Sequence, residues 1–266
     1  MVYPRRILTM VGAVITAALT ALILLPATAQ AQTVEYAALG DSYASGVGTR
    51  DYIDDGSGCS RSEYAYPSLL ADDLGANLDF AACSGATTVD LIAEQLGGLS
   101  SATDLVTVTI GGNDTGWASI VQQCAYPYPW TCDEEIEAAE RYIRDELPGR
   151  LGAAYTAIAD AAPNAEVVVL GYPRLFNGES CNVITRISAE EQALLNAAAD
   201  LLAESIGTVA GEHGFRHIDV RDAFDGHAIC DDAEWLNGLS WPIAESYHPN
   251  RDGQSAGYFT ELSSIV

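Results

Sequence analysis

Five short apolar segments, Val34–Leu39, Leu78–Ala82, Leu105–Ile110, Glu166–Gly171 and Arg216–Val220, alternate with longer stretches of helical character, among them Cys132–Ala162 and Ser188–Glu212. Strands of this length joined by helical crossovers pack side by side in parallel, because antiparallel neighbours need only a tight hairpin. The expected fold is therefore α/β, a three-layer α/β/α sandwich with a central parallel sheet. Ligands of such sheets gather beyond the carboxyl ends of the strands. The residues that follow each strand are where chemistry is to be sought.

Ahead of the first strand, Arg5 and Arg6 precede an almost uninterrupted apolar run from Ile7 to Pro26. Ala27-Thr28-Ala29 and Ala29-Gln30-Ala31 then offer the small-x-small pattern of a processing site. A secretory signal peptide over residues 1–31, cleaved after Ala31, is the expectation. A retained membrane anchor is the competing reading, and the run is barely long enough for it. Residues 32–266 have the size of one large domain.

The two leader arginines are among only 12 basic residues, against 37 acidic ones, so residues 32–266 carry a net charge of −27. Nucleic acid is thereby excluded as a partner, and anionic membranes are disfavoured. The processed chain is expected to be a secreted monomer with no stable membrane insertion.

Six cysteines in an exported chain read as three disulfides. Cys124 and Cys132 bracket a short Tyr-Pro-Tyr-Pro-Trp insertion that a local clasp would fix, so these two are paired. Zinc is the alternative, but the cysteines lack CxxC spacing and none stands near a histidine in a ligand-like pattern. No metal and no cofactor are expected.

Three turns carry the chemistry. Gly40-Asp41-Ser42-Tyr43-Ala44-Ser45-Gly46 follows the first strand, Cys83-Ser84-Gly85-Ala86-Thr87 the second, and Gly111-Gly112-Asn113-Asp114 the third. Alone, Ser42 reads as a helix cap and the other two as ordinary turns. Together, at one edge of a parallel sheet, they supply a serine hydroxyl and donors for an oxygen that becomes negatively charged. The Ser42 amide, the Gly85 amide and the Asn113 side chain are the candidate donors. Gly-x-Ser-x-Gly is not satisfied, since position 44 is alanine, so the nucleophile elbow of α/β-hydrolases is not present.

Serine needs a base to take its proton. His213 and His217 flank the start of the last strand, at the opposite edge, and His227 sits in a polar loop near Cys230. His248, in Glu245-Ser246-Tyr247-His248-Pro249-Asn250, precedes a C-terminal helical stretch and lies where a loop returns over the strand ends. His248 is the candidate base.

In order and rough spacing these blocks resemble the GDSL or SGNH hydrolases across nearly the whole of residues 32–266. Gly40-Asp41-Ser42-Tyr43 is similar to the first block, Gly85 to the glycine of the second, Gly111-Gly112-Asn113-Asp114 to the third and Tyr247-His248-Pro249 to the last. The resemblance implies a flavodoxin-like sandwich and an ester hydrolase that works through an acyl-serine intermediate. It is nearest to the three-disulfide secreted esterases and lipases of actinomycetes, which implies the pairs Cys59–Cys83, Cys124–Cys132 and Cys181–Cys230. Such families usually place aspartate three residues before the histidine, and here Glu245 stands there. Glu245 is taken as the acid that orients His248, with the carbonyl of Glu245 or Ser246 as the alternative.

For the substrate, lipid esters, phospholipids and acetylated polysaccharides all remain open. Tyr126, Tyr128, Trp130, Trp235 and Trp241 are candidate linings of an acyl groove, against the plainer reading of loop aromatics as packing. A non-catalytic exported binding protein is the rival from another class, and an intact serine, histidine and donor set argues against it.

Overall fold

The computed structural model describes Met1 and residues 33–125, 131–181 and 187–266. Chain contacts separate Met1–Gln32 from Thr33–Val266, and the second unit carries the sheet and the helices that cover it. The expected signal peptide, apart from Met1, lies outside the described residues, as do Tyr126, Tyr128 and Trp130.

The five apolar segments form one parallel sheet. Its strands are β1 (Glu35–Gly40), β2 (Asn77–Phe80), β3 (Leu105–Thr109), β4 (Glu166–Leu170) and β5 (Arg216–Ile218), in the spatial order β2-β1-β3-β4-β5. Strand β3 is buried along its length and β4 from Val167 onward, as the β-branched runs Leu-Val-Thr-Val-Thr and Val-Val-Val-Leu require of a sheet covered on both faces. At the edges, β2 is only partly buried and β5 is short.

Because β2 and β3 lie on opposite sides of β1, the direction of winding reverses between β1 and β3. That reversal opens a crevice at the carboxyl ends of these two strands. The register sets Gly40 beside Thr109, so the turns after β1 and β3 emerge at the same level.

The helices are α1 (Ser42–Ser45), α2 (Tyr66–Leu74), α3 (Thr88–Asp90), α4 (Trp117–Cys124), α5 (Asp133–Asp145), α6 (Leu147–Ala161), α7 (Ala189–Glu212) and α8 (Thr260–Ser263), the last continuing a wider helical turn at Gly253–Phe259. Tyr36, Thr107 and Thr109 do not all lie on neighbouring positions, but strand alternation and register put them on one sheet face. On that face Tyr36 shares a hydrogen bond with Thr107 (2.6 Å) and Tyr66 of α2 with Thr109 (3.0 Å), and Tyr66 stacks on Tyr258 with ring centroids 5.4 Å apart. These polar groups are buried but satisfied, which removes the cost of hiding them.

The single helical stretch expected at Cys132–Ala162 is two helices, α5 and α6. The break falls at Glu146, and Pro148 sits in the first turn of α6, where its missing N–H has no intrahelical partner to lose. Helix α7 begins where Ser188 and Glu191 form a reciprocal capping box.

All six cysteines are paired, as Cys59–Cys83, Cys124–Cys132 and Cys181–Cys230.

Candidate active site

Ser42 is placed by the end of β1. Gly40 has φ +127°, and a Cβ there would lie 2.2 Å from the Thr109 carbonyl oxygen, so no larger residue fits between β1 and β3. The buried Gln95 brackets this residue: its Oε1 accepts from the Gly40 amide (2.7 Å) and its Nε2 donates to the Gly40 carbonyl (2.8 Å). Asp41 then caps α1, accepting the Tyr43 amide at 2.9 Å. Ser42 is the first residue of that helix, and its own amide has no acceptor among the described residues.

His248 reaches the serine from the far end of the chain. Its Nε2 lies 2.8 Å from Ser42 Oγ, and its Nδ1 lies 2.8 Å from the Ser246 carbonyl oxygen. An acceptor carbonyl at Nδ1 requires that nitrogen to carry the proton, which leaves Nε2 as the unprotonated acceptor facing the hydroxyl.

The loop that bears the histidine is clamped from several directions. Tyr43 donates to the Tyr247 carbonyl (2.8 Å), and the Asn237 backbone exchanges hydrogen bonds with Tyr247 (2.8 Å) and His248 (2.9 Å). Asn237 Nδ2 also donates to the Gly48 carbonyl (2.9 Å), and any side chain at Gly48 would meet the Pro249 carbonyl and His248 Cβ. Gln254 joins α1 to α2, accepting the Tyr66 amide (2.9 Å) and donating to the Tyr43 carbonyl (3.0 Å).

Burial sets the electrostatics. It disfavours the imidazolium and holds His248 down at about 4, against a smaller upward pull from the Ser246 carbonyl. Burial also pushes the Asp41 carboxyl up to about 7, opposed by the Tyr172 hydroxyl and the Tyr43 amide that donate to it. Tyr172 receives the Gly112 amide in turn (3.0 Å), which ties the β3 turn to the β1 turn.

The candidate oxyanion donors flank this pair. Asn113 Nδ2 donates one hydrogen to the Ala86 carbonyl (2.9 Å), which leaves the second for a ligand. Gly85, one residue before Ala86, has φ +84° and an amide with no acceptor among the described residues. Asp114 accepts from the Thr88 amide (3.0 Å) and hydroxyl (2.6 Å), and Cys59–Cys83 anchors the Gly85 turn.

Ser42, Asn113 and His248 line a cavity of about 370 Å³ whose other walls include Trp117, Val121, Leu175 and Leu202. The size is that of a small-molecule site, and the walls are largely apolar. A hydroxyl facing an unprotonated imidazole at the mouth of such a cavity can attack an ester carbonyl when the acyl chain is seated on the apolar walls.

The structure corrects Glu245. Its carboxylate accepts from the Tyr52 hydroxyl, which itself receives the Gly48 amide (3.2 Å), and it makes no hydrogen bond to His248. The reason lies in the backbone. Ile243–Glu245 is a tight helical turn, but Ser246 is extended and Tyr247 has φ +63°. The reversal turns the Ser246 carbonyl toward Nδ1 and leaves the Glu245 carboxylate with the Tyr52 hydroxyl. This carbonyl is a backbone group, and the only sequence signal for it was the want of aspartate at position 245.

The aromatic linings are corrected too. Trp235 stacks on His227 with centroids 3.6 Å apart and does not face the cavity, while Trp241 is 84% exposed. Trp117, which does line it, was missed. His213 and His217 lie away from the cavity; His213 bonds the Val209 carbonyl at 2.9 Å.

A parallel α/β sandwich with a serine and a histidine in contact above its strand ends is the layout of a serine ester hydrolase. The GDSL-like lipase/acylhydrolase family model matches residues 38–256, and the chain belongs to that family. It is 43% identical to lipase 1 of Streptomyces coelicolor over 258 residues, which span 96% of this chain and 94% of that one. Among solved structures, the extracellular lipase of Streptomyces rimosus superposes with a TM-score of 0.84 at 43% identity, and phospholipase A1 of Streptomyces albidoflavus with 0.83 at 41%. Each comparison covers 88% of this chain and all of the other.

Proposed function

We propose that the protein is a secreted lipase-type hydrolase in which Ser42 is the nucleophile and His248 the general base, the two acting as a dyad held by the Ser246 carbonyl. The observation that carries this reading is the 2.8 Å contact of Ser42 Oγ with His248 Nε2 at the mouth of an apolar cavity.

As Ser42 Oγ attacks the ester carbonyl, its proton passes to His248 Nε2. The negative charge that develops on the carbonyl oxygen is received by the Ser42 and Gly85 amides and by the free hydrogen of Asn113 Nδ2. Collapse expels the alcohol, which takes the proton from His248 and leaves an acyl-serine. Water enters, His248 removes its proton, and the acid is released.

A carbonyl oxygen at Nδ1 carries no full charge, so it stabilises the imidazolium less than a carboxylate would. It still fixes the tautomer and ring orientation, and no second charge has to be buried.

The substrate is an acyl ester of a lipid, a reading supported by the apolar walls and by relatives whose names are lipase and phospholipase A1. Export is supported by the Arg5–Ala31 leader pattern and three disulfides. Hydrolysis of p-nitrophenyl esters of graded chain length tests the function. Activity that rises from acetate to medium chains and disappears in Ser42→Ala supports it; activity on acetate alone overturns the lipid reading.

A further inference from the structure

A second cavity, of about 480 Å³, adjoins the first and shares Leu239 and Tyr247 with it. The dividing wall is built from consecutive residues: Leu175 faces the first cavity and Phe176 the second, where the Phe176 ring packs on Tyr247 with centroids 6.2 Å apart. The lining of this second space differs from the first. Arg50 contributes a guanidinium, Glu179 and Glu234 contribute carboxylates, and Ser180, Ser240, Gln192 and Asn237 add neutral polar groups.

The reaction itself assigns sides to the substrate. The departing alcohol must lie next to His248 to receive its proton, while the acyl carbonyl points toward Gly85 and Asn113. The second cavity abuts the loop that bears His248, through Tyr247 and through Asn237, whose backbone bonds both Tyr247 and His248.

Among the described residues, Arg50 is the sole lysine or arginine in the lining of either cavity. It is an exposed residue and forms no ion pair with a carboxylate among the described residues; one nitrogen donates to Ser240 Oγ at 3.2 Å, which sets the guanidinium over the 238–240 segment. Its backbone is fixed from both sides. Thr49 is buried, and its carbonyl accepts from Arg251 (3.0 Å), while Arg50 itself is held at φ +63°. In a chain with so large an excess of acids, a guanidinium without a carboxylate partner among the described residues, in the lining of the same cavity as two glutamates, complements a ligand that carries an anion and a cation together.

We propose that this second cavity is the subsite for the alcohol part of the substrate, and that it receives a zwitterionic phospholipid headgroup, with Arg50 on the phosphodiester and Glu179 and Glu234 facing the ammonium. This rests on the lipid ester hydrolase reading and adds to it the class of alcohol.

The test compares two soluble substrates with the same acyl groups, dibutyroylphosphatidylcholine below its micelle concentration and dibutyroylglycerol, by acid release at constant pH. The ratio of their kcat/KM values should fall by about tenfold or more in Arg50→Ala, through KM, as loss of a charge-assisted hydrogen bond does. Arg50→Lys should recover part of the ratio. An unchanged ratio in Arg50→Ala overturns the proposal, whether both rates fall together or neither does. A wild-type enzyme that cleaves the diglyceride but not the phosphatidylcholine also overturns it, while leaving the ester hydrolase reading intact. Failure on both substrates and on p-nitrophenyl esters counts against that reading instead.

Discussion

The carboxylate of Glu245 and the hydroxyl of Tyr52 form a hydrogen bond that joins the loop bearing His248 to the segment after α1. Tyr52 reaches from the segment after α1, and the Gly48 amide donates to the same hydroxyl at 3.2 Å. Glu245 therefore braces the loop from behind and does not bond the imidazole. Glu245→Gln keeps a carbonyl oxygen for Tyr52 to bond, so kcat should fall by less than about tenfold, whereas loss of an orienting acid elsewhere costs roughly 10⁴. Steady-state kinetics on a p-nitrophenyl ester decide it, and a loss of a hundredfold or more would restore Glu245 to the catalytic set.

The serine and the histidine were legible because each breaks the pattern around it: a polar, glycine-flanked residue directly after a strand, and a histidine in a late loop. Other contacts were hidden by sequence distance. Gln95 reaches Gly40 across 55 positions, and Gln254 reaches Tyr66 across 188. Neither residue has a local pattern that marks it. Glu245 misled because the resemblance gives only its spacing from the histidine, whereas the extended Ser246 and the positive φ of Tyr247 bring the Ser246 carbonyl to Nδ1. Trp235 misled because aromatic content says nothing of direction, and its ring is spent on His227 and Phe224. The break between α5 and α6 did have a local mark, Pro148, which belongs in the first turn of a helix and not in its middle.

The pH dependence follows from the burial of His248. Catalysis needs the neutral imidazole, and burial holds its value at about 4, below the ordinary 6.5. For a small neutral ester, kcat/KM should climb through a midpoint near 4 and be level by about pH 6. A midpoint at about 6.5 would mean that the imidazole is solvated in the free enzyme. Stability moves in a related way: between pH 6.5 and 4 the unfolded chain takes up a proton at this residue that the folded chain refuses, so this residue's contribution declines as pH falls through that window.

Asn113 is expected to act on the transition state more than on the bound substrate, because its remaining hydrogen meets an oxygen only as charge develops there. Asn113→Ala should lower kcat by about 10²–10³-fold with little change in KM. Circular dichroism and the melting temperature serve as controls, since the substitution also removes the hydrogen bond to the Ala86 carbonyl. An effect confined to KM would take Asn113 out of the oxyanion hole.

The three disulfides should contribute unequally. Cys181–Cys230 closes a loop with a sequence separation of 49, and Cys124–Cys132 one of 8. Chain entropy assigns about 4 kcal/mol to the first and about 2.5 kcal/mol to the second. Urea denaturation of the paired Cys→Ala variants should show the larger drop for residues 181 and 230. The reverse order would mean that the short clasp between the end of α4 and the start of α5 stabilises the folded state beyond its effect on the unfolded chain.

The identity of the nucleophile is tested most directly by covalent capture. An organophosphonate ester should label the wild-type protein once, and peptide mass spectrometry should place the adduct on Ser42. Ser42→Ala should take no label, and His248→Ala should take it far more slowly although its Ser42 is intact. Adduct on Ser45 or Ser84, or labelling at the wild-type rate without His248, would contradict the dyad.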